Sequence, residues 1–142
     1  MQIALSEVLR PKRHAHAHCD LPCGVYDPAQ ARIEAESIKA IQERYGDAEG
    51  KKSPNETADQ YKHRALQIKE ERADLVKHHL WVLWTDYFKP NHLEQHPQLH
   101  DLFWKATKAA GDSKRSIDPA QGQGLLDLIQ EIDTIFWETK KA

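Results

Sequence analysis

"NETADQYKHRALQIKEERADLVKHHLWVLWTDYFK", Asn55 to Lys89, runs without a glycine or a proline. Tyr61, Ala65, Ile68, Leu75 and Val82 recur along it at helical spacings, and Arg72 and His79 fall on the same stripe. The pattern predicts one long helix of about 30 residues, about 45 Å from end to end. Ser53-Pro54-Asn55-Glu56 has the spacing of a capping box at its start. "KPNHLEQHP" breaks it at the other end.

Working outward, the flanking segments read as three further helices. Asp27-Pro28 offers an N-cap followed by proline at the first helical position. Ile33, Ile38, Ile41 and Tyr45 then fall near one face, and Gly46 supplies a stop before the polar linker "GDAEGKKSPN". His96-Pro97 opens a third helix, lined by Leu99, Leu102, Phe103 and Ala106, with Gly111 as its expected end. Asp118-Pro119 caps a fourth, with Leu125, Leu128, Ile132, Ile135 and Phe136 as its apolar face. Period-two alternation is missing, so a sheet has no support. The expected fold class is all-α, an up-and-down four-helix bundle. Trp81, Trp84, Trp104 and Trp137 exceed what such a bundle hides comfortably, which points either to a subunit interface or to a tryptophan-rich core.

The 142 residues suit a single domain. Charged residues make up 30% and hydrophobic ones 39%, a polar but globular balance. A net charge of −2 implies no basic face for nucleic acid. No apolar run approaches the roughly 18 residues of a membrane span. Residues 1–17, "MQIALSEVLRPKRHAHA", differ from the rest: Arg10, Lys12 and Arg13 stand against Glu7 alone, whereas the remainder is net acidic. A secretory signal puts its charge before an apolar segment of about 7–15 residues, and here the order is reversed. The expectation is therefore a cytoplasmic protein with a detachable leader.

Both cysteines lie in "HAHAHCDLPCGVYDPAQA", His14 to Ala31. Cys19 and Cys23 admit several readings. A disulfide is disfavoured in a chain that lacks an export signal. Buried inert thiols fit poorly with a polar, turn-rich setting. Structural zinc wants four ligands, and the side chains nearby are His18, Cys19 and Cys23, with Asp20 as a further candidate. Cleavage before His18 changes the chemistry. The freed α-amine of His18, the Cys19 backbone amide and the two thiolates then make an N2S2 set, with the His18 imidazole available as a fifth, axial ligand. Planar N/S coordination points to Ni(II) or Cu(II). Pro22 and Gly24 help the backbone turn back on the ion.

"HCDLPCGVYDPAQARIEAES" resembles the nickel hook and first helix of nickel-containing superoxide dismutases, and the resemblance continues through "IKEERADLVKHHLWVLWTDYFKP" and "IDTIFWETKKA". It implies one nickel ion per subunit held by His18, Cys19 and Cys23, and disproportionation of superoxide by Ni(II)/Ni(III) cycling. Residues 1–17 would be the leader removed by a dedicated peptidase. Residues 18–142 would be the dismutase domain, with the hook at 18–26 and the bundle at 27–142, assembling as a homohexamer. Tyr26 would stand at the mouth of the metal pocket. Glu34 and Arg72 match the pair that orients the axial imidazole. Tyr87 and Lys89 match positions near the entrance, where Lys89 would attract the superoxide anion. His78 and His79 are expected to be structural, and a metal site from His92, His96 and His100 is disfavoured by Pro97. A protein from another class, a nickel or copper store or delivery protein without turnover, would use the same hook.

Overall fold

The computed structural model of the protein describes residues 24–141. Among them there is no strand. In chain order the helices are α1 (Ala29–Tyr45), α2 (Ala48–Lys51), α3 (Ala58–Val82), α4 (Pro90–Gln95), α5 (Leu99–Arg115) and α6 (Pro119–Lys141), with a five-residue π-helical turn, Leu83–Tyr87, directly after α3. The four long helices are the bundle. α1 packs on α3, α3 on α5, α5 on α6, and α6 returns to α1. The two short helices, α2 and α4, lie in the connectors that the sequence left as linker and breaker.

Both Asp-Pro signals act as caps. Asp27 Oδ1 accepts the N–H of Ala29 at 2.8 Å, and Asp118 Oδ1 accepts that of Ala120 at 2.9 Å. The capping box of α3 forms later than expected, at Thr57 and Gln60. The Gln60 N–H donates to Thr57 Oγ1, and the Thr57 N–H donates to Gln60 Oε1. Ser53 and Glu56 instead close the preceding turn, with the Ser53 N–H on Glu56 Oε2 at 3.1 Å.

The buried line of α3 is also rotated from the apolar stripe. Ala65, Lys69, Ala73, Val76 and Leu80 are buried, and each of the last four directly follows a stripe residue. Ile68, Arg72, Leu75, His79 and Val82 flank this seam, partly exposed. Small residues make the seam because Ala73 packs in the same core cluster as Ala31 and Ala35 of α1. Close helix approach favours alanine there, and hydropathy does not see it.

Lys69 explains why α5 runs past Gly111. Its side chain is fully buried, and its ammonium donates to the carbonyls of Ser113, Lys114 and Ser116 at 2.6, 2.5 and 2.9 Å. Three donors meet three orphan carbonyls at the negative end of the helix dipole. Burial pushes the Lys69 pKa below that of a free lysine. Ser116 O also accepts from Gln42 Nε2 at 3.2 Å. Where α6 crosses α1, a Cβ on Gly122 would lie 2.5 Å from Gln42 Oε1 and 2.9 Å from the Lys39 Cα. Only glycine allows that approach.

The core joins Ile38, Val76, Leu80, Leu99, Phe103, Leu125, Ile129, Ile132 and Phe136 in one cluster. Each such side chain contributes about 1.5–3 kcal/mol through removal from water. Three tryptophans stay outside it: Trp81 is 53% exposed, Trp104 63% and Trp137 44%. Among the described residues no helix is long and apolar enough to cross a membrane.

Candidate metal centre

His18, Cys19 and Cys23 lie outside the described residues, as do residues 1–17 and Asp20. The description begins at Gly24, the residue after Cys23. Gly24 has φ +69°, and among the described residues it alone has a backbone in the left-handed region. Glycine adopts that conformation without the Cβ clash that penalises other residues. Residues 24–27 then lead into α1 without regular structure. The Gly24 carbonyl accepts a hydrogen bond from Lys140 Nζ at 3.0 Å.

Gly24, Tyr26, Asp86, Tyr87, Lys89, Asn91 and His92 surround an open pocket of about 500 Å³. Three of the residues singled out in the sequence, Tyr26, Tyr87 and Lys89, thus meet in one place. They arrive from two segments: Tyr26 from the approach to α1, and the other two from the π-helical turn and its exit. The wide turn closes with the Phe88 N–H on the Leu83 carbonyl at 3.1 Å, and the Thr85 hydroxyl donates to the Trp81 carbonyl at 2.8 Å. It presents Tyr87 half-buried and Phe88 buried, in succession. Such turns recur at functional sites.

Tyr87 organises the pocket wall. Its ring centroid is 5.7 Å from that of Tyr26, 4.4 Å from Phe136 and 5.0 Å from Phe88. His92 stacks on it at 5.6 Å, and Lys140 Nζ sits 5.2 Å from its centroid. Lys89 is exposed at the rim. The Lys89 N–H donates to His92 Nδ1 at 3.3 Å, so the neutral ring carries its proton on Nε2. Burial, then the charges of Lys89 and His96, lower the His92 pKa.

Glu34 and Arg72 form a second cluster. Arg72 Nη1 donates to Glu34 Oε2 at 3.1 Å across α1 and α3. The carboxylate is 15% exposed and the guanidinium 37%, so this is a half-buried ion pair. Among the described residues the pair is not part of the pocket wall around Tyr26.

The remaining histidines are dispersed. His96 Nε2 approaches Glu138 at 4.0 Å, and His100 packs edge-on to Trp84 at 4.6 Å. His78 and His79, although adjacent, bring their rings to 5.5 Å. Thr139 and Lys140 lie in the family-like ending "IDTIFWETKKA", where the resemblance implies no role for them, and the sequence offers His92 only as a disfavoured metal ligand; the folded bundle brings all three to Tyr87.

Between His18 and Cys23 the sequence holds two thiols and an imidazole, donors that suit a thiophilic ion. Gly24, the residue after Cys23 in the sequence, takes a left-handed φ that glycine accommodates.

Residues 13–140 match the model of the nickel-containing superoxide dismutase family. The nickel superoxide dismutase of Streptomyces seoulensis is 59% identical over 138 residues, which is 97% of this chain and 99% of that protein. That of Streptomyces coelicolor is 56% identical over 138 residues, with the same coverage. A crystal structure of a nickel-containing superoxide dismutase, with nickel ligation corresponding to the oxidized state, superposes with a TM-score of 0.78 at 60% identity, covering 88% of this chain and 100% of that one. On the family match and the near full-length relatives, the chain belongs to the nickel-containing superoxide dismutases.

Proposed function

We propose that the protein is a nickel-dependent superoxide dismutase, converting two superoxide ions and two protons into dioxygen and hydrogen peroxide. The observation that carries this reading is that the donor-rich segment His18–Cys23 leads in sequence directly into Gly24 and Tyr26, which line the Tyr87 pocket. The ligands would be the His18 amine and imidazole, the Cys19 amide and the thiolates of Cys19 and Cys23. When bound, nickel supplies the Ni(II)/Ni(III) couple that accepts an electron from one superoxide and returns it to another.

The other residues act around that centre. Tyr26, packed on Tyr87, restricts access to small anions. Lys89, exposed on the pocket rim, raises the local concentration of superoxide. Glu34, held by Arg72, anchors the His18 imidazole on its far nitrogen and fixes the tautomer. Residues 1–17 are a leader whose removal by a peptidase frees the His18 amine. Family membership supports a homohexamer, and the exposed Trp81, Trp104 and Trp137 give it apolar surface to bury. A cytoplasmic location, where thiols stay reduced, suits the two cysteines of the hook.

The test compares the chain beginning at His18 with the chain carrying residues 1–17, each supplied with nickel. Nickel content and superoxide decay are measured on the same samples. The reading expects turnover in the processed chain alone, and loss of nickel and turnover on Cys19→Ser or Cys23→Ser with the helical signal retained. Nickel binding without turnover in the processed chain would indicate a store or delivery protein instead.

A further inference from the structure

We infer that Lys140 is a positioning residue that latches the exit of the metal hook. Its ammonium holds the carbonyl of Gly24, and this tether at the end of the hook favours nickel retention. The inference rests on the nickel reading above and adds to it a residue from the far end of the chain.

Lys140 lies in the last turn of α6. Its Nζ donates to Gly24 O at 3.0 Å, across 116 positions of sequence. The same atom lies 5.2 Å from the Tyr87 centroid and 5.5 Å from that of Phe136, one helical turn earlier. Among the described residues, its partners are thus one carbonyl and two ring faces. Lysine on a helix surface ordinarily extends into water; here the ammonium folds over two aromatic faces to reach a carbonyl. Gly24 makes that bond with a left-handed φ.

The neighbouring Thr139 takes the hydroxyl of Tyr87, so two consecutive residues of α6 hold the two walls of the pocket. Two thiolates must be held in place to close on one ion, and a contact already made in the free chain reduces the ordering cost. Lys140 therefore acts on nickel retention through Gly24. A cation that merely attracted superoxide would change the encounter rate and its salt dependence instead.

The test uses the processed full chain, loaded with nickel, as wild type, Lys140→Met and Lys140→Arg. Nickel release to excess EDTA is followed by loss of the thiolate-to-nickel absorption. Amide exchange is followed on the metal-free chains. Lys140→Met should release nickel about tenfold faster, with Lys140→Arg, which keeps charge and donors, close to wild type. Exchange at Val25 and Tyr26 should accelerate in Lys140→Met, while α1 and the urea midpoint stay unchanged. Equal release and equal exchange in wild type and Lys140→Met would overturn the latch. So would faster exchange throughout α1 and α6, which would mark a general loosening. Failure of the wild type to take up nickel would strike the metal reading alone, and exchange at Val25 and Tyr26 would still decide the latch.

Discussion

The hydroxyl of Tyr87 donates to Thr139 Oγ1. The two oxygens are 2.8 Å apart, and the proton of Thr139 is already committed to the Phe136 carbonyl at 2.7 Å. A hydroxyl has one proton to give, so Thr139 is left as the acceptor. The phenol of Tyr87 is therefore aimed at α6, and what Tyr87 offers the pocket is its ring. Tyr26, Phe136 and His92 pack around that ring.

The first prediction concerns this bond. Tyr87→Phe should destabilise the fold by about 1 kcal/mol, and Thr139→Val, which leaves the phenol without its acceptor, by about 1–2 kcal/mol. The double variant should cost no more than the larger single change, because both remove the same bond. Urea unfolding of the four chains measures the coupling, and additive losses would show that the bond contributes nothing.

Two glycines of α6 should respond in opposite directions. Gly122→Ala places a methyl against Gln42 and the backbone of Lys39, and overpacking of this kind costs about 1–3 kcal/mol. Gly124 has nothing within 4 Å of an added Cβ, so Gly124→Ala should stabilise by about 0.5–1 kcal/mol through helix propensity. Thermal unfolding of the two variants decides. A shift of equal sign in both would contradict the close crossing of α1 and α6.

His92 gives the fold an acid sensitivity. Its pKa is lowered by burial and by the charges of Lys89 and His96. The unfolded chain takes up the proton near pH 6.5, and the folded chain only at lower pH. Between the two the unfolded state binds more protons, so stability falls as pH drops below about 6.5 and levels off below the folded pKa. Protonation also removes the Nδ1 lone pair that accepts the Lys89 N–H. His92→Gln should flatten this part of the curve. Urea midpoints from pH 7.5 down to 5.5 for the two chains measure it, and parallel curves would contradict the assignment.

Sequence pattern was a good guide to where the helices lie and a poorer one to how they face. The Asp27-Pro28 and Asp118-Pro119 caps were legible because a short acidic side chain before proline has few other uses. The face of α3 was not, because its seam is built from Ala65, Ala73 and a buried Lys69, none of which hydropathy marks as core. Gly111 read as a stop because the three carbonyls that end α5 are satisfied by a lysine 44 or more positions away. Around the site, Tyr26, Tyr87 and Lys89 were legible only through the family's motif. Lys140 and Thr139 lie in the family-like ending but had no role there, because each acquires its partner from tertiary packing.

The central claim, that the hook is a redox centre and not only a metal trap, is tested most directly at His18. In a processed His18→Ala chain the α-amine, the Cys19 amide and both thiolates remain, and the imidazole is lost. Nickel content and superoxide decay are measured on one sample of each chain. The account predicts that nickel stays bound while turnover falls by more than about tenfold, equivalent to about 1.4 kcal/mol of barrier. Near-normal turnover at full nickel occupancy would contradict it and leave His18 as a source of the amine alone.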